Sequence, residues 1–263
     1  MMGQEATMMR HARLLLVALV LMAPACGPTE AETPRLSLFV GVDVSGSFSG
    51  TPQFRDSLRF LSYYLYGHLH GTGGLEKPRA LFVGSIGGDT PNEPKAFYPI
   101  QVFERMNASE MEAKLTELFT VKGKGNYLTD FNAFFKRVSE TVQKQNLVLA
   151  PILIVIVSDG VPEVAADQGR KSVPQAYEKI DVSSLEYLAR NVTIRILYPS
   201  PKVAAEWDRK VPRQRVRIWP VESEIMQGWH DQLENRPAVE EEKRLWKWIA
   251  DIVDKRVRRQ RII

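Results

Sequence analysis

Residues 36–47 read Leu36-Ser37-Leu38-Phe39-Val40-Gly41-Val42-Asp43-Val44-Ser45-Gly46-Ser47, an apolar run that stops on one carboxylate and two hydroxyls. A buried strand ending this way delivers three hard oxygen donors into a single turn. Donors of that kind suit Mg²⁺ or Mn²⁺, and no His or Cys lies nearby to favour zinc. A second run, Ile152-Leu153-Ile154-Val155-Ile156-Val157, is apolar on both faces and stops at Ser158-Asp159-Gly160. Its β-branched composition predicts a central parallel strand. Ligands of open α/β sheets gather at the carboxyl ends of the strands, where the strand order reverses. If the two strands are neighbours, Asp43, Ser45, Ser47 and Asp159 meet at one edge. Between them in sequence, Gly125-Asn126-Tyr127-Leu128-Thr129-Asp130 predicts a glycine-containing loop that enters a helix.

Three segments in this order, on these elements, resemble the metal-ion-dependent adhesion site of von Willebrand factor A domains. The resemblance covers roughly residues 36–221. It implies an α/β fold with a doubly wound, mostly parallel central sheet flanked by helices. It also implies that the hydroxyls of Ser45, Ser47 and Thr129 hold the metal, with Asp43 and Asp159 acting directly or through water. Neutral hydroxyls leave much of the cation's charge uncancelled. A carboxylate from an acidic side chain of a protein partner would then fill an exchangeable position. The plainer role for Asp43 and Asp159 is to cap the helices that follow their strands.

The rest of the chain agrees with a doubly wound sheet. Phe54, Leu58, Leu61 and Leu65 recur at helical spacing and predict a helix over 51–69. Arg79–Ile86 reads as a second strand and Phe97–Phe103 as a third, with the look of an edge hairpin. Asn107 is the candidate N-cap of a helix to Phe119. Thr129–Gln145 reads as helical, Ser183–Arg190 as the end of another helix, and Val192–Tyr198 and Arg215–Val221 as strands. The polar segment 160–182 reads as a lid over the site or as a plain surface loop. All five tryptophans lie from Trp207 onward. Leu245, Trp248, Ile249 and Ile252 follow helical spacing, which favours core packing over an aromatic binding face.

Residues 1–25 have the layout of a targeting segment. Arg10 and Arg13 precede an apolar stretch, Leu14–Met22, that is too short to span a membrane. Ala23-Pro24-Ala25-Cys26 follows, and it resembles a bacterial lipobox in which Cys26 is lipidated and becomes the first mature residue. The same Ala-x-Ala also suits ordinary secretion to the periplasm. A sole cysteine excludes an internal disulfide. The expected organisation is a signal peptide over 1–25, a tether over 26–35, the α/β domain over 36–221, and a C-terminal helical extension with a basic tail over 222–263. The expected location is the bacterial cell envelope, with a lipid anchor in a membrane.

The formal charge is +4, yet residues 255–263 alone carry +5, so the basicity belongs to a tail and no nucleic-acid face is expected. Arg213, Arg215 and Arg217 alternate along one predicted strand, where charge blocks sheet-to-sheet pairing. The tail could touch anionic lipid or simply complement a helix dipole. An enzyme is not expected. His11 leaves with the signal peptide, His68 and His70 are two residues apart at a helix end, and His230 lies beside Trp229. None supplies a base for metal-assisted hydrolysis. Gly84-Ser85-Ile86-Gly87-Gly88 lacks the lysine of a phosphate loop and reads as a turn. The readings set against a metal-dependent binding protein are a periplasmic metal-dependent hydrolase and a metal-independent scaffold.

Overall fold

The computed structural model describes residues 34–88, 97–120, 128–165, 172–188 and 191–254. The first strand, β1 (Leu36–Asp43), is buried along its whole length. A four-residue helix, α1 (Gly46–Ser49), and a long one, α2 (Pro52–His70), follow it. Pro52 stands at the first turn of α2, where a missing N–H costs nothing, and Gly71 closes it in the left-handed conformation. Next come β2 (Pro78–Ile86), β3 (Tyr98–Pro99), α3 (Ala108–Phe119), α4 (Phe131–Lys144) and β4 (Ile152–Val157). A short ribbon of β5 (Glu163–Ala165) and β6 (Ser172–Pro174) precedes β7 (Val192–Leu197), α5 (Pro201–Lys210) and β8 (Arg217–Val221). Two short helices close the described chain, α6 (Ser223–Gln227) and α7 (Lys243–Trp248).

The main sheet has the order β3-β2-β1-β4-β7-β8, parallel throughout except for β3 at one edge. The chain winds from β1 outward through β2, then returns to β4 on the other side of β1 and winds outward again. The order therefore reverses between β1 and β4, as the doubly wound reading expects. Alternation along the central strands sorts their side chains into two layers. Leu38, Val40, Val42, Leu153, Val155 and Val157 pack with Phe54, Leu58, Leu61 and Leu65 of α2. Phe39, Ile152, Ile154 and Ile156 pack on the opposite face with Phe134, Phe135 and Val138 of α4. Gly41 lies in this second layer, where a Cβ would come within 2.6 Å of Ile86 and Phe134. Pro34–Ile263 forms one compact unit.

Several boundaries differ from the sequence reading. The third strand shrinks to two residues, and Ile100–Val102 turns as a 3₁₀ helix, because Pro99 has no N–H to extend a ladder. Helix α3 begins as expected, with a reciprocal capping box between Asn107 and Glu110. Helix α4 starts two residues later than expected, since Asp130 caps it through the N–H of Ala133 and leaves Thr129 extended. The expected helix end at Ser183–Arg190 is a single 3₁₀ turn, Ser183–Leu185, with residues 189–190 outside the description. Strand β8 starts at Arg217, not Arg215. The buried Glu186 carboxylate takes the N–H groups of Gln214, Arg215 and Val216 at 2.8, 2.6 and 3.1 Å, before they can join the sheet.

The C-terminal region packs on α2. Trp229, Leu245, Trp246, Ile249 and Val253 are fully buried in the first layer. The expected stripe breaks at its last position, because Ile249–Val253 forms a π turn. The wider turn rotates Val253 inward and leaves Ile252 41% exposed. Beyond it, Asp254 accepts a hydrogen bond from the Tyr64 hydroxyl at 2.9 Å and pairs with His68 Nε2 at 3.0 Å. His68 Nδ1 lies 2.8 Å from the carbonyl oxygen of Glu76. Both ring nitrogens face acceptors, an arrangement that the doubly protonated ring satisfies. Burial opposes that charge, but Asp254 and the Glu76 carbonyl outweigh it and raise the pKa of His68 above the ordinary histidine value.

This buried pair pins Asp254, the last described residue, to the last turn of α2. Replacing His68 by Ala strands the Asp254 carboxylate in the core and should cost on the order of 3–5 kcal/mol in urea unfolding. The stabilising contribution of His68 is complete below the unfolded histidine pKa. It should fade as pH rises through the higher folded value, and the His68→Ala variant should lack that loss.

Candidate metal site

The site is built where the strand order reverses. Asp43, the last residue of β1, is completely buried. Its Oδ1 accepts the N–H of Ser45 at 2.9 Å, and its Oδ2 accepts the hydroxyl of Ser158 at 2.6 Å. Ser158 in turn accepts the N–H of Gly160 at 2.8 Å. One carboxylate thus ties the end of β1 to the end of β4. Ser45 opens α1 but does not cap it, because its hydroxyl is hydrogen-bonded to that of Ser47 at 3.0 Å. Ser45 is buried and Ser47 exposed, so the pair leads from the interior to solvent.

Asp159 is partly buried and accepts the N–H of Val161 at 3.0 Å. The turn after it needs Gly160, whose φ is +77° and whose Cβ position lies 2.9 Å from Val203 and 3.0 Å from Trp207 Nε1. The Trp207 indole holds this turn by donating to the Gly160 carbonyl at 2.7 Å.

Thr129 arrives from another part of the chain. Its N–H donates to the Glu163 carbonyl at 2.9 Å, the Glu163 N–H returns a bond at 3.3 Å, and Leu128 donates to Gly88 at 3.1 Å. Gly87, at φ +96°, makes room for this crossing. A Cβ there would lie 2.3 Å from the Leu128 carbonyl oxygen and 3.8 Å from the Ser45 nitrogen. The backbone beside Thr129 and the Ser45 turn therefore flank the same glycine. The Thr129 hydroxyl is fully buried and has no hydrogen-bond partner among the described residues.

Burial pushes the Asp43 carboxyl up to about 7, against the lowering effect of the Ser158 and Ser45 hydrogen bonds and with help from the Asp159 charge. Burial likewise raises Asp159 above the ordinary aspartate value. Neither carboxylate has an ion-pair partner among the described residues. No group of three or more His, Cys, Asp or Glu side chains able to hold a metal occurs among the described residues, so the donor set is hydroxyl and carboxylate oxygen. An orphaned buried hydroxyl, a hydroxyl pair and two carboxylates without a counter-charge fit a hard divalent cation.

Of the five residues named from the sequence, Asp43 is bonded to the Ser45 N–H and Ser45 to Ser47, Asp159 stands next to Ser158, and the backbone before Thr129 flanks Gly87 opposite the Ser45 nitrogen; residues 121–127, ahead of Thr129, lie outside the description. Sequence reasoning missed Ser158 and Trp207. Ser158 was visible as the residue beside Asp159 at a strand end. Trp207 gave no signal, since its role depends on α5 folding back across the Gly160 turn. Cys26 lies outside the described residues, as does the basic tail. Among the described residues, no helix is long and apolar enough to cross a membrane.

No protein-family model matches the chain, and no curated protein does. Among solved structures it is similar to proximal thread matrix protein 1 from the mussel byssus with a zinc-occupied MIDAS motif, at 10% identity, 84% of this chain, 48% of that chain and a TM-score of 0.46. It is similar to the manganese-loaded TRAP protein of Plasmodium vivax at 15% identity, over 73% and 70% of the two chains, with a TM-score of 0.45. The pilus adhesin SpaC of Lactobacillus rhamnosus GG follows at 10% identity, 76% of this chain, 29% of that chain and a TM-score of 0.43. The chain spans about half the length of the mussel protein and under a third of the adhesin. These are likenesses in outline. The molecule's own sheet defines its class: a doubly wound, mostly parallel α/β domain whose strand order reverses between β1 and β4.

The folded state holds the Asp43 proton more tightly than the unfolded chain does. Stability without divalent cation should therefore fall as pH rises from the ordinary aspartate value of 3.8 to about 7. Thermal midpoints measured in chelator between about pH 5 and about pH 8 should drop more steeply for the wild type than for Asp43→Asn. Equal slopes would show that Asp43 ionises without hindrance.

Proposed function

We propose that this protein binds a protein partner through a divalent cation, in the manner of von Willebrand factor A domains. Ser45, Ser47 and Thr129 would hold Mg²⁺ or Mn²⁺ with Asp43 and Asp159. The bound ion would supply an exchangeable position for a carboxylate on the partner's acidic side chain. The observation that carries this reading is the Thr129 hydroxyl. It is buried beside the switch point and satisfied by no described residue, on an element that Gly87 holds against the Ser45 turn. A buried hydroxyl left without a partner costs about 1–3 kcal/mol, and a ligated cation would recover it.

The proposal also includes the location. Lipidation at Cys26 would tether the domain to a bacterial envelope membrane, and plain secretion to the periplasm is the alternative for the same segment. The hydrolase reading gains no residue from the structure. His68 is paired with Asp254, His230 with Asp56, and His70 Nδ1 sits 3.0 Å from the Tyr66 carbonyl oxygen.

Calorimetric titration of Mg²⁺ and Mn²⁺ into residues 34–263 tests the site. The wild type should bind one ion. Thr129→Ala should bind at least about tenfold more weakly and Asp43→Ala should lose binding, while circular dichroism shows both still folded. An acidic peptide should tighten ion binding to the wild type by linkage. A wild type that takes up neither ion, with or without the peptide, would sink the proposal.

A further inference from the structure

The edge of the sheet opposite the metal site carries a second surface. The loop before β4 holds Leu149 at φ +75°, the left-handed region that bulky side chains avoid, and leaves that side chain 78% exposed. Asn146, four residues from β4's flanking Ala150, takes the same region in this loop with a residue type suited to it. Leu149 is thus unfavourable twice over, in its backbone and in its contact with water. An outlier of this kind points toward function. Val148 beside it is 45% exposed.

The Leu149 N–H donates to the Leu188 carbonyl at 3.1 Å, which brings the loop against the turn that carries Tyr187. Tyr187 is 74% exposed, and the Arg215 guanidinium lies 5.8 Å from the centre of its ring. Glu186 fixes this pair by clasping the backbone of residues 214–216. Two aliphatic side chains, an aromatic ring and a cation, from three segments joined by these hydrogen bonds, therefore stand near one another.

Charge surrounds them. Arg35, at the entry to β1, Lys77, at the entry to β2, and Lys144, at the end of α4, are exposed along the same edge. Exposed aliphatics, a tyrosine and a belt of cations match the layered chemistry of a lipid–water interface, where rings sit at headgroup level and cations meet phosphate.

We infer that this edge docks on an anionic lipid bilayer, with Val148, Leu149 and Tyr187 seated among the headgroups and the cations on their phosphates. The metal site then faces away from the membrane, toward an incoming partner. The inference stands on the edge itself and needs neither the Cys26 anchor nor a bound metal.

Flotation of residues 34–263 with phosphatidylcholine vesicles, with and without about one-third phosphatidylglycerol, tests it. The protein should float with the anionic vesicles alone and less as salt rises. Leu149→Asn with Tyr187→Ser should cut that binding about tenfold. Its urea midpoint should stay at or above the wild-type value, because asparagine tolerates the backbone of position 149. Asp43→Ala should float like the wild type, which separates this surface from the metal site. A wild type that stays with the soluble fraction would overturn the inference. So would a double variant that floats undiminished, since the tail alone would then account for binding. Sedimentation showing self-association that the double variant loses would assign the patch to a second copy instead.

Discussion

The hydrogen bond from Ser158 to Asp43 holds the two central strands together at the point where the winding reverses. The turns that follow both strands depend on it. The Ser45–Ser47 turn hangs from the other oxygen of the same carboxylate, and the Gly160 turn hangs from the same serine hydroxyl. The chain leaves β1 into the layer of α2 and leaves β4 through the β5–β6 ribbon toward the opposite layer, where Ile180 and Leu185 pack. The polar groups at that edge are bonded chiefly to each other.

Such an arrangement is costly for the isolated domain. A fully buried carboxylate raised to about 7 by loss of water, with a second carboxylate near it, leaves negative charge uncompensated. The Thr129 hydroxyl adds a donor with no partner among the described residues. The apolar layers on both faces of β1 and β4 are large enough to carry that cost, since each fully buried Val, Leu or Ile contributes about 1.5–3 kcal/mol.

The two edges of the sheet are chemically distinct. At the carboxyl ends of the strands stand hydroxyls and carboxylates around a buried crevice. At the amino ends stand exposed aliphatic and cationic side chains, with the buried His68–Asp254 pair closing the chain against α2. A domain tethered near its first strand would present these two edges to different surroundings. The rigid sheet fixes the direction between them.

The sequence by itself determined the layers and the polar residues that end the two central strands. Unbroken apolar runs in β1 and β4 can lie only between two helical layers, and a carboxylate or hydroxyl at the end of such a run must emerge at the sheet edge. Asp43, Ser45, Ser47 and Asp159 were legible for that reason, and Thr129 through its place in a recognisable pattern. Tertiary structure alone decided what depends on distant partners. Glu186 withholds three N–H groups from β8, a π turn exchanges Ile252 for Val253 in the core, and Trp207 reaches back to the Gly160 carbonyl. Each is a hydrogen bond or a change of register set by residues far apart in the chain, and periodicity within a single segment carries no record of it.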